Sequence, residues 1–194
     1  MRRRAVTSAG LLLLVLAAAS YLYRDRARWL PTVKRSPAPV ATPGAAPIEG
    51  PYFSDGDRIG ERIIAAINHT QSSLDLAIFD LTQPDITAAL AAAHQRGVKI
   101  RIVADERQAH EPHSEIPYLT SQGLAVRLSR GYRGNRSLMH NKFAVFDGRL
   151  AETGSFNWTT SAESYNFENA VFLADPASVA RFQEAFERIW ARAQ

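Results

Sequence analysis

The chain has 194 residues, a net charge of +4 and no cysteine. That length fits one domain of ordinary size with an appendage. The lack of cysteine excludes disulfides, thiolate zinc sites, a cysteine nucleophile and a lipid-modified cysteine anchor. The charge is unevenly placed: residues 1–50 carry eight Lys/Arg against two acids, and residues 51–194 carry 15 against 17. The larger part therefore lacks the global basic footprint common among nucleic-acid binders, which weakens a nuclease reading without removing it.

Arg2-Arg3-Arg4 precede an apolar run from Ala5 to Tyr23. As a helix this run would span about 28 Å, close to the roughly 30 Å hydrocarbon core of a bilayer. Two readings compete. Ala17-Ala18-Ala19 before Ser20 offers small residues to a signal peptidase. Tyr21 and Tyr23 suit the interfacial belt of a helix that stays in place. The length of the run, and Arg24, Arg26 and Arg28 directly after it, favour a signal-anchor over residues 1–30 that ties the chain to a membrane. Basic residues at the very start favour export of the remainder to a periplasmic or other extracytoplasmic space, with secretion after cleavage as the alternative. Six of the ten prolines fall between Pro31 and Pro51. That composition predicts an extended linker over residues 31–51, able to reach roughly 65 Å at about 3.1 Å per residue. Residues 52–194 are left as the folded domain.

Within it, Ile59, Ile63 and Ile67 recur at helical spacing after a cap region around Ser54–Asp57. Leu74 to Phe79 reads as a strand. The Ala-rich segment from Pro84 to Arg96 reads as a helix that Gly97 stops. Val98 to Val103 alternates as a second strand, which completes a βαβ unit. A loop from Asp105 to Glu115 holds Glu106, His110, Glu111, His113 and Glu115. Pro112 and Pro117 interrupt any helix there, so its histidines suit a solvated loop better than a metal site. A short helix over Glu115–Gln122 and a strand over Leu124–Leu128 follow. Phe143–Asp147 and Leu150–Thr153 read as paired strands joined at Asp147-Gly148, a strong turn dipeptide. Phe167–Ala174 is a late strand. Asp175 and Pro176 open a final helix with Val179, Phe182, Phe186, Ile189 and Trp190 facing inward. The expected class is α/β, a sandwich with a mixed central sheet between helices.

The chemistry concentrates between Met139 and Asn169. In a strand, side chains two apart share a face, so His140 and Lys142 are expected to project together, with Phe143 and Val145 opposite. A His and a Lys projecting together, without cysteines or a carboxylate cluster, suit an anionic, phosphate-like substrate better than a metal. Arg127, Arg130, Arg133 and Arg136 recur every three residues just before them. Arg130, Arg133 and Arg136 are candidate substrate-phosphate contacts, and a solvated loop is the plain alternative.

His140, Lys142, Asp147, Gly154, Ser155 and Asn157 together meet the pattern H-x-K-x4-D-x6-G-S-x-N. At these residues the sequence resembles the phospholipase D superfamily, the HKD phosphodiesterases, and the string Gly154 to Thr159 looks like its small nuclease and mitochondrial branch. The segment around Arg96-Gly97-Val98 also looks like the first half of such a domain. The resemblance covers residues 52–194 and implies a phospholipase D-like α/β/α fold with one motif per chain. It implies His140 as a nucleophile that forms a phosphohistidine. Lys142 and Asn157 would hold the non-bridging oxygens, and Ser155 would bond phosphate or orient a neighbour. Glu168 would be an acid hydrogen-bonded to the histidine. Asp147 matches the motif, with a turn-forming role at least as well supported. No metal or cofactor is implied. Two histidines are needed, one to attack and one to act as acid and then base. A single motif therefore implies a homodimer that shares one active site. The substrate is expected to be DNA or RNA cut by an endonuclease, or alternatively membrane phospholipid, phosphatidylcholine or cardiolipin, cleaved to phosphatidate.

Overall fold

The computed structural model of the protein describes residues 50–133 and 136–194. The segment expected to be a membrane anchor, nearly all of the Pro-rich segment expected to be a linker, and residues 134–135 lie outside the described residues. The fold is a seven-stranded sheet in the order β1-β7-β6-β5-β2-β3-β4. The strands are β1 (Tyr52–Phe53), β2 (Ser73–Ile78), β3 (Lys99–Asp105), β4 (Ala125–Ser129), β5 (Lys142–Phe146), β6 (Leu150–Gly154) and β7 (Asn169–Leu173). β2, β3 and β4 are mutually parallel, and every other pairing is antiparallel. The sheet therefore changes character between β2 and β5, where Ile78 lies opposite Lys142.

The helices follow from the apolar spacing. α1 (Ile59–His69) buries Ile59, Ile63 and Ile67, and α2 (Pro84–Gln95) buries Ile86 and Leu90. Both pack on one sheet face with Leu74, Leu76, Ile100, Ile102 and Phe172. Two short helices, α3 (Glu106–Ala109) and α4 (Ile116–Ser121), follow β3, and α5 (Thr160–Ser164) follows β6. α6 (Pro176–Trp190) covers the other face, where Val179 and Phe186 meet Ala77, Val103, Phe143 and Val145. Asp175 caps it as expected, accepting from the Ser178 amide. Arg101 fastens it to the sheet with a two-pronged pair to Asp75 at 2.7 and 2.8 Å and a further bond to Glu187 at 2.5 Å. The mixed α/β/α sandwich is thus as expected.

Local details differ. The residue capping α1 is Arg58, whose side chain makes no cap bond, because Asp57 instead accepts from the Phe53 amide at 3.0 Å. β1, α3 and α5 are too short, at two to five residues, to leave a periodic trace. The Asp147-Gly148 turn forms as expected. Both residues take left-handed φ angles, +51° and +60°, which suits the type I′ geometry of a tight hairpin.

Candidate active site

Five segments converge on one edge of the sheet, at the carboxyl ends of the parallel strands. They are the residues just after β2 (Phe79, Asp80), the end of β3 (Asp105), the start of β5 (His140, Lys142), the turn after β6 (Ser155, Asn157) and the entry to β7 (Glu168). The register dictates this: Ile78 pairs with Lys142, and Gly154 pairs with Ala170. Such an edge, where strand direction changes, is where open α/β sheets place their ligands.

His140 and Lys142 come together, but not as two residues of one strand. β5 begins at Lys142, and His140 stands in the preceding loop. The cause is Asp105, which is almost fully buried. Its carboxylate caps α3 through the amides of Arg107 and Gln108, and it also accepts from the Met139 amide at 2.9 Å. Met139 is itself buried in the α6-side core. The loop is thereby pinned one residue before the histidine, and the imidazole swings over the Phe79 ring, 4.5 Å between centroids. Lys142 Nζ lies 3.3 Å from His140 Nε2, 3.1 Å from the His140 carbonyl and 4.9 Å from the centre of the Phe79 ring. The lysine is buried whereas the imidazole is exposed.

These positions set the charge states. Partial burial, with the Lys142 ammonium adding to it, holds the imidazole below its ordinary pKa, while the Asp105 carboxylate works against them. Burial also lowers Lys142, opposed by Glu168 and Asp80. Asp80 is pushed up by its own burial, against the pull of Lys142. Both the burial and the neighbouring ammonium favour the neutral imidazole, the form required of a nucleophile that must approach an anion.

Ser155 is an organiser. Its hydroxyl donates to Glu168 at 2.5 Å and accepts from the Asn169 amide at 3.1 Å. Glu168 takes a second bond from Asn166 at 3.1 Å, and its own amide donates to Ser54 at 2.9 Å. The expected bond from Glu168 to His140 is not made within the chain. β6 lies between β5 and β7, so the strands that these two residues lead into run roughly 10 Å apart. Gly154 makes the close approach possible: a Cβ there would fall 2.0 Å from the Asn169 carbonyl oxygen. Asn157 Oδ1 is buried without a donor. The following residue ties this turn to the Phe79 loop, because the Trp158 amide donates to the Asp80 carbonyl at 3.1 Å.

Asp147 is not brought to the site. It sits at the far end of β5, about 17 Å from Lys142 at about 3.4 Å per residue. Its carboxylate accepts from the amides of Gln71, Ser72 and Ser73 and from the Ser72 hydroxyl. Burial alone would raise its pKa, but those donors outweigh it and hold the group below the usual range. The motif aspartate is a turn anchor.

The arginines divide. Arg127 stacks over Trp190 and donates to its carbonyl. Arg130 forms a paired contact with Glu106. The Arg133 guanidinium lies over Tyr132, and Arg136 is exposed. Among the described residues no three of His, Asp and Glu cluster closely enough to hold a metal ion. His110 closes back on the Glu106 carbonyl at 2.6 Å. Phe79, Asp80 and Asp105 are site residues that composition and spacing did not single out. The one sequence cue was that β3 ends in an aspartate.

Residues 63–190 match the family model described as "Cardiolipin synthase, PLD-like domain". The chain belongs to the phospholipase D superfamily. It is 35% identical over 178 residues to the mitochondrial cardiolipin hydrolase of Xenopus laevis, covering 88% of this chain and 81% of that one. It is 38% identical over 129 residues to the Chlamydomonas reinhardtii protein of the same name, covering 66% of this chain and 56% of the relative. Its fold matches the crystal structure of Nuc, a phospholipase D family member from Salmonella typhimurium. The TM-score is 0.68 at 30% identity, over 77% of this chain and 97% of that one. The site edge described above is thus carried on a phospholipase D domain present almost whole in a compact relative.

Proposed function

We propose that the protein is a phosphodiesterase that cleaves single-stranded nucleic acid through a phosphohistidine, in a site shared by two copies of the chain. The observation that carries this is the exposed, neutral His140 imidazole 3.3 Å from a buried lysine ammonium. His140 Nε2 attacks phosphorus, a P–N bond forms, and the P–O bond to the leaving group breaks. Lys142 and the Asn157 amide meet the charge on the non-bridging oxygens. The leaving oxygen needs a proton. His140 is the one histidine of the chain in an H-x-K pair, and His140 of a second copy supplies that proton. That second imidazole then takes a proton from water, the water oxygen attacks phosphorus, and the P–N bond breaks to release the phosphate monoester. Glu168, which accepts from Ser155 at 2.5 Å, steadies the imidazolium of the second copy. The N-terminal segment tethers the pair to a membrane with the catalytic domain exported.

A second reading is cardiolipin hydrolysis. The name of the relatives supports it, and so do the exposed Phe53, Tyr165 and Phe167 beside the Glu168 rim, at 50%, 83% and 89% exposure. One experiment separates the readings. The full chain in detergent is offered single-stranded DNA, RNA, cardiolipin and phosphatidylcholine in the presence of chelator, with His140→Ala as control. Cleavage of the single strands that persists in chelator and falls by about three orders of magnitude in the variant is the expected outcome. Turnover of cardiolipin alone transfers the conclusion to the second reading, and a variant as active as the parent removes both.

A further inference from the structure

A cleft of about 890 Å³ leads away from His140, between residues 128–132 and 137–141 on one side and the C-terminal end of α6 with the residues after it on the other. That volume lies in the range of true ligand sites. His140 stands at one end, Tyr132 and Leu138 form one wall, and Arg188, Ile189 and Arg192 form the other. Two features distinguish this wall from an ordinary solvated helix face. Arg188 and Arg192 are exposed and form no ion pair among the described residues, whereas Arg130 in the same cleft is matched to Glu106. The opposite wall presents Tyr132, 76% exposed, and Leu138, 42% exposed. Cations on one side and, on the other, an exposed ring with a further guanidinium, that of Arg133, against it, in a domain whose own balance is slightly acidic, is a charge distribution complementary to a polyanion that carries flat bases.

We propose that this cleft is an outer strand-binding subsite, in which Arg188 and Arg192 hold phosphates beyond the scissile one and Tyr132 stacks on a base. The inference rests on the nucleic-acid reading above and states which part of the chain grips the substrate away from the reacting atom. The two arginines are four residues apart. Arg188 lies in the last turn of α6 and Arg192 just beyond the helix end, and both line the same wall of the cleft. Each phosphate neutralised by an arginine releases counterions, so affinity should carry a salt dependence of about 0.7 logarithmic units per contact. Stacking on an exposed tyrosine adds grip without sequence preference.

The test compares the full chain with Arg188→Ala/Arg192→Ala and with Arg188→Lys/Arg192→Lys. Three substrates are used: bis(p-nitrophenyl) phosphate, a dinucleotide and a twelve-nucleotide single strand. Bis(p-nitrophenyl) phosphate reports the His140 chemistry alone. The alanine pair should leave its turnover and that of the dinucleotide within twofold. The same pair should raise KM for the twelve-mer about tenfold and flatten its salt slope by about 1.4, and the lysine pair should recover most of both. An unchanged KM for the twelve-mer overturns the subsite. So does an equal rise for the dinucleotide, which would place the arginines at the reacting phosphate. Failure of the underlying reading looks different, since bis(p-nitrophenyl) phosphate would then not be turned over by the parent, or would be turned over equally by His140→Ala.

Discussion

Replacing Glu152 with glutamine should change how stability depends on pH, while leaving the site's layout in place. Glu152 is fully buried in β6, between Ala144 on β5 and Phe172 on β7. Neither of its oxygens accepts a hydrogen bond, and the Trp158 indole N–H is likewise unpaired. Burial pushes the acid from 4.5 up to about 8, against a lowering pull from the Trp158 indole. In the unfolded chain the group ionises at its ordinary value, so the folded state binds a proton that the unfolded state has given up. The stability tied to this group is therefore whole below pH 4.5, declines as pH rises, and is exhausted above about 8. At about 1.4 kcal/mol per unit, the decline reaches about 3 kcal/mol at neutral pH and about 5 kcal/mol in full. Urea unfolding followed by tryptophan fluorescence, at half-unit steps from pH 5 to 8, measures it. Glu152→Gln cannot ionise, so its advantage over the parent should widen by about 1.4 kcal/mol per pH unit. A fixed cost from the buried amide would offset the whole curve without changing its slope. Parallel curves for the two proteins would show that the carboxyl is not held neutral.

Two further predictions follow from the polar anchors. Asp147→Ala removes four hydrogen bonds at the turn between β5 and β6. It should cost about 2–4 kcal/mol in urea unfolding with kcat of the folded fraction unchanged; a large fall in kcat would return Asp147 to the catalytic set. The pKa of this group is depressed in the folded state. Its contribution is thus present above its ordinary pKa and lost as pH drops through the folded value. Asp105→Asn keeps a cap for α3 but replaces the acceptor of the Met139 amide with a donor, and it removes the charge that holds up the His140 pKa. The kcat should fall roughly tenfold, and the acid limb of the pH–rate profile should move to lower pH. A fall in rate with the limb unmoved would reduce Asp105 to a purely structural role.

The sequence carried the fold wherever a segment was long enough for its apolar period to repeat. α6 is the clearest instance, with cap, first-turn proline and inward residues all readable. It carried the pairing of His140 with Lys142 and the Gly154–Asn157 turn through the spacing of the motif. It did not carry the groups that arrange them. Phe79 and Asp105 act on His140 across gaps of 61 and 35 positions, and no local pattern encodes which strand ends meet. The same limit explains Glu168. Its carboxylate accepts from Ser155, just after the intervening β6, and not from the histidine of its own chain. Asp147 was ambiguous for the opposite reason, because a motif records which residues recur together and not at which end of a strand they stand.

The convergence of five strand ends has a kinetic consequence. The contact between β2 and β5 joins stretches nearly seventy positions apart, and the bond from Ser54 to the Glu168 segment spans 114. Closures of that span come late in folding, after helices and hairpins have formed. No partly assembled intermediate, and no fragment ending before β7, can display the reactive histidine in its working surroundings. During refolding, recovery of turnover should therefore lag behind recovery of helical signal, and the newly made chain stays chemically silent until its last strand has docked.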